Sequence, residues 1–267
     1  MALTYGGNTF SYMWKADVAS AIGELRNLGL NDFDIIMSPG HLWPDDLSSQ
    51  DRAALARRLR DDDIRIESLN PPALDYNLGS AVPEVRRQAI DMYTKTIELS
   101  AELGGRGTVV VPGRVSALFP PAPKDTEGWL KDSIGELIRV ADRSGQRIYV
   151  EGHPLTSIPR AEDLIAFVDH FNVPNLSIAY DVANGEFIGE SQAEAIKLMG
   201  NRLGQLHFSD GTRTQWRHDA VGNGTVDFQS AIAAAEEIGF DGIVVLEIIS
   251  QDPVRDISRS IAALAGR

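Results

Sequence analysis

Short β-rich runs alternate with longer stretches of helical period along the whole chain, and this alternation restricts the fold more than any other feature. The β-rich runs are Leu3–Tyr5, Phe33–Met37, Ile64–Leu69, Thr108–Val111, Arg147–Glu151, Leu176–Asp181, Leu203–Ser209 and Ile243–Ile248. Several, such as TVVV and IVVLEI, are almost continuously apolar. Strands read that way when both faces are covered, as in a parallel sheet packed beneath helices. Between them, Leu130, Ile134, Leu137, Ile138 and Ala141 share one helical face, as do Leu164, Phe167, Val168 and Phe171, and Val254, Ile257, Ile261 and Leu264. Ser48 and Asp227 stand where helix N-caps belong. Gly29, Gly104, Gly145 and Gly239 stand where helices should stop, since glycine enters left-handed backbone angles without strain.

Eight strand–helix units in 267 residues match an α/β fold of the (β/α)8 TIM-barrel type. An open doubly wound sheet uses fewer units. Helix-to-strand links are terse (Gly145–Gln146, Gly239–Asp241), whereas strand-to-helix links are long: SPGHLWPDD, NPPALDYNLGSAVP, PGRVSALFPPAPKD and DGTRTQWRHDAVGNGTV. Elaborated loops at one end place the active site at the C-terminal ends of the strands. No repeat or linker divides residues 1–267, and PPAP at 120–123 reads as a stiff loop, so a single domain is expected.

Composition removes several function classes. Lys+Arg 25 against Asp+Glu 38 gives a net charge of −13, which repels phosphate backbones and anionic lipid. The absence of cysteine excludes disulfides, thiolate catalysis and Cys-ligated zinc. No apolar run approaches the roughly 20 residues a membrane-spanning helix needs, and MALTYGGNTFSYMWK lacks a secretory pattern. A cytoplasmic soluble protein with neither nucleic-acid nor membrane partners is the expectation.

Four consecutive strands carry a ligand-type residue near the same end: Glu151 in YVE, Asp181 in AYD, His207 in LHFSD and Glu247 in VVLE. Taken singly, each has an ordinary explanation. A strand-end carboxylate is commonly ion-paired with arginine, and a lone strand histidine is commonly a hydrogen-bonded core residue. Taken together, three carboxylates and one imidazole embedded in apolar strands call for a cation. Such a donor set suits one divalent ion, Mn²⁺ first, with Mg²⁺, Co²⁺ or Zn²⁺ as alternatives. His153, two residues beyond Glu151, would point to the same side of an extended chain and contact a substrate hydroxyl, or else bond loop backbone. Phe10, Trp14, Trp43 and Trp216 lie in or beside the strand-to-helix loops, where aromatics either wall a sugar pocket or cap the barrel core.

The segments IYVEGHP, LSIAYDVAN, LGQLHFSD, RHDAVGNGTVDF and IVVLEI, with SLNPPALDYNLGS upstream, resemble the signature segments of the xylose isomerase-like TIM barrels, the sugar phosphate isomerases and epimerases. The resemblance runs over essentially the whole length. It implies that Glu151, Asp181, His207 and Glu247 bind one metal ion and that Glu151 and Glu247 also act as acid and base. It further implies that Arg217 and His218 line the substrate pocket, and Asn184 is expected to join His153 as a substrate contact. The implied enzyme is a metal-dependent isomerase or epimerase acting on a sugar, keto-sugar or sugar phosphate. It would abstract a proton beside a carbonyl and pass through a metal-stabilised enediolate. Relatives are often dimers or tetramers, so a homodimer or homotetramer is implied.

Alternatives share the scaffold. A lyase or dehydratase of the inosose or dehydroshikimate type begins with the same proton abstraction. A non-catalytic binding protein should have lost a ligand or an acid/base glutamate, and none is missing. Asn184 replaces the histidine that many relatives carry three residues after the sixth-strand aspartate. IIMSPG lacks the second-strand glutamate of many ketose-specific members, although His41 follows. The related AP endonucleases need further histidines on strands three and four, where this chain has Asn70 and Pro112, and an aspartate where it has Trp216. With the acidic charge, that speaks against DNA repair.

Overall fold

The computed structural model describes residues 3–72 and 75–266; Met1, Ala2, Ala73 and Leu74 of the third loop, and Arg267 lie outside the description. The strands are β1 (Thr4–Asn8), β2 (Asp32–Ile36), β3 (Arg65–Asn70), β4 (Gly107–Val110), β5 (Arg147–Glu151), β6 (Leu176–Asp181), β7 (Leu203–Phe208), β8 (Asp210–Thr212), β9 (Gln215–Asp219) and β10 (Ile243–Leu246). Eight of them close into a parallel barrel in the order β1-β10-β7-β6-β5-β4-β3-β2, while β8 and β9 form a separate antiparallel pair. The helices are α1 (Val18–Arg26), α2 (Ser49–Asp61), α3 (Pro83–Leu103), α4 (Pro123–Ser144), α5 (Ala161–Phe171), α6 (Val182–Phe187), α7 (Gln192–Met199), α8 (Phe228–Glu237) and α9 (Pro253–Ala265). The single TIM barrel read from the alternation is the fold observed.

The local signals act as expected. Ser48 forms a full capping box with Asp51 at the start of α2, and the Asp227 side chain accepts from the Ser230 amide at the start of α8. Gly29, Gly104, Gly145 and Gly239 all have positive φ. The main core lies between barrel and helices, where Leu25, Phe33, Leu69, Ile97, Leu137 and Phe208 are fully buried. One helical assignment shifts: Val254 is 40% exposed, and Pro253 takes the buried place at the start of α9. Among the described residues, no helix is long and apolar enough to cross a membrane.

Two features of the loops differ from the sequence reading. The link after β7, read as irregular, contains the β8–β9 hairpin, with Asp210 opposite Asp219 and Thr212 opposite Gln215. The link after β6 begins with the short helix α6, for which Asp181 itself is the N-cap. Both features position site residues.

Candidate metal centre and cavity

Strand alternation sets the site. Side chains two apart in a strand share a side, so Tyr149, Ala179, Gln205 and Val245 lie one step below Glu151, Asp181, His207 and Glu247. Glu151 ends β5, Asp181 ends β6, His207 is penultimate in β7, and Glu247 directly follows β10. Asp181 is registered against His207, and Glu247 extends the ladder by donating its amide to the Phe208 carbonyl at 3.1 Å. The four residues thereby converge, each offering a ligand atom within 4.8 Å of the others.

All four are buried, at 4% exposure or less. His207 Nδ1 lies 3.1 Å from Glu247 Oε2 and 4.0 Å from Glu151 Oε1. Among the described residues, no lysine or arginine pairs with Glu151, Asp181 or Glu247; their basic neighbours are His207 and His218. The ordinary explanation for a buried strand carboxylate is realised elsewhere. Asp32 holds Arg65 at 2.7 Å, and Glu67 takes Arg106 at 3.3 Å and the Tyr149 hydroxyl at 2.7 Å. Two buried polar atoms of the cluster, Asp181 Oδ2 and His207 Nε2, have no hydrogen-bond partner. Orphaned polar atoms of this kind are uncommon in native interiors. A carboxylate-rich pocket with unsatisfied lone pairs and no guanidinium fits a divalent cation, and these four residues can hold one.

The electrostatics carry the mark of crowded like charges. Burial, reinforced by Glu247 and Asp181, pushes the Glu151 carboxyl well above the usual carboxylate range, although His207 opposes the rise. Burial also pushes Asp181 up to about 6. For His207, burial would depress the pKa, but Glu247, Glu151 and Asp34 outweigh it and lift the imidazole to about 10. Burial would raise Glu247, and His207 reverses that, bringing it down to about 2. Burial and crowding of like charges thus favour the protonated carboxyl at Glu151, while the surrounding carboxylates favour the charged imidazolium of His207. Beneath it, Asp34 accepts hydrogen bonds from Asn8 Nδ2 at 2.6 Å and from Ser68 Oγ, which in turn accepts from Gln205 at 2.9 Å. This buried polar layer escaped the sequence reading.

A cavity of about 490 Å³ opens above the cluster. Glu151, Glu247, His153, Asn184, Arg217 and His218 all line it, so the candidate substrate contacts are brought together with the candidate ligands. His153 is buried and its ring stands edge-on to Trp216 at 4.4 Å; burial, with His218 nearby, lowers its pKa to about 4, so it is neutral. The Asn184 amide is committed to protein. Its Nδ2 donates to Glu151 Oε1 and the Gly152 carbonyl, both at 3.3 Å, and its Oδ1 accepts from Trp216 Nε1 at 2.7 Å. His218 Nδ1 lies 3.0 Å from Ser209 Oγ and 3.5 Å from Glu247 Oε2. Arg217 Nε lies 3.6 Å from Asp219 Oδ2, and its side chain is 60% exposed.

Of the four aromatics singled out, Phe10 and Trp216 line this cavity. Trp14 is 77% exposed, and Trp43 lines a different surface pocket. His41 is turned away from the cluster, bonded to the Ala16 carbonyl at 2.6 Å and Thr9 Oγ1 at 3.0 Å. Sequence reasoning missed Ser209, Asp219, Asn70 and Asp75 near the site. The positions of Asn70 and Asp219, at the ends of β3 and β9, were the available signal.

A closed (β/α)8 barrel with a buried carboxylate–imidazole cluster at the C-terminal ends of its strands has its candidate site on the face where TIM barrels carry theirs. The family model for the xylose isomerase-like TIM barrel matches residues 22–266, and the chain belongs to that family. It is similar to the 3-dehydro-D-guloside 4-epimerase of Escherichia coli, 27% identical over 202 residues that cover 70% of this chain and 74% of that enzyme. Across the first curated relatives, alignments span 63% to 76% of those proteins' own lengths. Among solved structures, a D-tagatose 3-epimerase-like protein superimposes with a TM-score of 0.86 at 21% identity, covering 99% of this chain and 96% of the other. The IOLI protein, solved with a bound zinc atom, gives 0.80 at 18% identity, covering 100% and 98%.

Proposed function

We propose that the protein is a divalent-metal-dependent isomerase or epimerase acting on a sugar or keto-sugar. The observation that carries this reading is the convergence of Glu151, Asp181, His207 and Glu247 beside the cavity, where among the described residues no lysine or arginine neutralises them. A divalent ion, Mn²⁺ by preference, would be held by these four residues and would act as a Lewis acid toward the substrate carbonyl and its neighbouring hydroxyl.

The chain's own residues supply the proton chemistry. Glu151 and Glu247 reach the cluster from β5 and from beyond β10, with His207 of β7 between them. One glutamate removes the proton from the carbon beside the carbonyl, and the other returns a proton. Return to the opposite face of the same carbon inverts it; return to the former carbonyl carbon isomerises the sugar. Asn184 orients the Glu151 carboxylate through its 3.3 Å hydrogen bond. His153, neutral and buried, offers a hydrogen bond to a substrate hydroxyl, and Arg217 and His218 complete the contacts on the hairpin side. Trp216 flanks the cavity beside Glu151 and keeps bulk water from the reacting carbon.

Proton exchange tests the reading. With Mn²⁺ present, an accepted keto-sugar in heavy water should gain deuterium at the carbon beside its carbonyl, at a rate tied to turnover. Turnover without deuterium would remove the proton-transfer mechanism, and a product lighter by one water would reassign the chain as a dehydratase.

A further inference from the structure

The cavity is divided by chemistry. All but one of its charged groups come from β5, from β9 and from the end of β10, the exception being Asp75 of the loop after β3. The opposite wall, built from β1 to β4 and the loops that follow them, presents Phe10, Met13, Ile36, Pro71, Pro72 and Val111. Among the described residues lining that half, Asn70 and Asp75 alone are polar. A polyol with a hydroxyl on every carbon would leave hydroxyls against this wall without partners, which opposes binding. The volume of about 490 Å³ lies within the roughly 300–1,000 Å³ of drug-sized ligand sites, so a substituent beyond the sugar can be housed.

The same surroundings reject phosphate. The lining sets Arg217 against Asp75, Glu151, Asp219 and Glu247, and Arg217 already faces Asp219 at 3.6 Å. Arg114 is exposed and lies outside the lining. Barrels of this type commonly seat phosphate in the loops after their last two strands, against a helix N-terminus. Here the helices that follow those strands, α8 and α9, are capped by carboxylates: Asp227 accepts from the Ser230 amide and Asp252 from the Arg255 amide. A carboxylate already in that place excludes a phosphate by charge and by occupancy.

We propose that the substrate is an uncharged keto-sugar carrying an apolar group, not a phosphate, at the end remote from its reacting carbon. The proposal rests on the reaction proposed above for the orientation of the sugar. It is tested on the Mn²⁺-loaded full chain with D-fructose, D-fructose 6-phosphate and 6-O-benzyl-D-fructose. Calorimetry reads the Kd of each, and deuterium uptake beside the carbonyl is read on the same samples. The benzyl ether should bind at least tenfold more tightly than D-fructose, and the phosphate at least tenfold more weakly. Phe10→Ala and Met13→Asn, which alter the apolar wall at separate places, should each shrink the benzyl-to-fructose ratio several-fold. Phosphate binding as tight as D-fructose, a benzyl ether no tighter than the parent, or no binding by any of the three would overturn the proposal. The expected order of affinities without deuterium uptake would instead overturn the proposed reaction and leave the cavity assignment standing.

Discussion

Asp181→Asn should stabilise the metal-free protein at pH 8 and lose most of that advantage when Mn²⁺ is present. The carboxylate is fully buried, and burial with Glu247 nearby lifts its pKa from 3.8 to about 6. A carboxylate whose folded pKa lies above its unfolded value weakens the fold at pH above both, and the penalty declines as pH falls below the folded value and is gone below the unfolded one. That rise corresponds to about 3 kcal/mol at pH 8. Asparagine keeps an oxygen to accept the Asn184 amide, bonded at 2.6 Å in the native chain, so the cap of α6 survives. In chelator at pH 8 the variant should therefore melt about 6–12 °C higher, and the advantage should fall to about half at pH 5 and be gone below about pH 4. Mn²⁺ closes most of that gap. An ion at 100 times its Kd stabilises the native chain by about 2.7 kcal/mol. Removing a ligand weakens affinity by about 100-fold or more, which cancels most of that gain. Differential scanning fluorimetry at two pH values, with and without Mn²⁺, reads all four states. A metal-free variant less stable than the native chain at pH 8, or equal stabilisation of both by Mn²⁺, would refute the reasoning.

Glu247→Gln and Glu151→Gln each leave an oxygen for the ion but no basic carboxylate, so deuterium exchange and turnover should fall together by about 10²–10⁴ while measurable Mn²⁺ binding persists. Full turnover in both variants would exclude the paired-glutamate mechanism. Ion binding must displace protons from Glu151, held well above its usual range, and from His207, raised to about 10. Apparent affinity should consequently rise with pH from 6 to 9, and calorimetry in two buffers of different ionisation enthalpy should report net proton release. Trp216→Phe removes the donor to Asn184 Oδ1, bonded at 2.7 Å, and should lower kcat about tenfold with a smaller change in KM, as expected when Glu151 loses its orientation.

The barrel was legible because strands covered on both faces write themselves as apolar runs bounded by glycine and polar loops. β1 was read short, as Leu3–Tyr5, because Gly6, Gly7 and Asn8 carry no strand signal. Yet glycine is required there: a Cβ on Gly6 would stand 2.8 Å from the Asp32 carbonyl oxygen, and its absence lets β1 approach β2. The four ligand-type residues were legible because a polar residue ending an apolar strand is conspicuous. Asp34 was not, since DFDII is buried along its length and the pattern does not say which aspartate faces inward. Asp32 pairs with Arg65, whereas Asp34 enters the polar layer below the cluster. The hairpin was illegible for a different reason. Strands of three and five residues hold too few positions to show a period, and the bond from Trp216 of β9 to Asn184 of α6 joins residues 32 apart in the chain.

Anomalous diffraction from crystals grown with Mn²⁺ tests the central claim most directly. The prediction is one manganese peak per chain, within bonding distance of Glu151, Asp181, His207 and Glu247 and weaker in crystals of Asp181→Asn grown at the same ion concentration. Native crystals with no peak among these four side chains, or with manganese held only elsewhere, would contradict it.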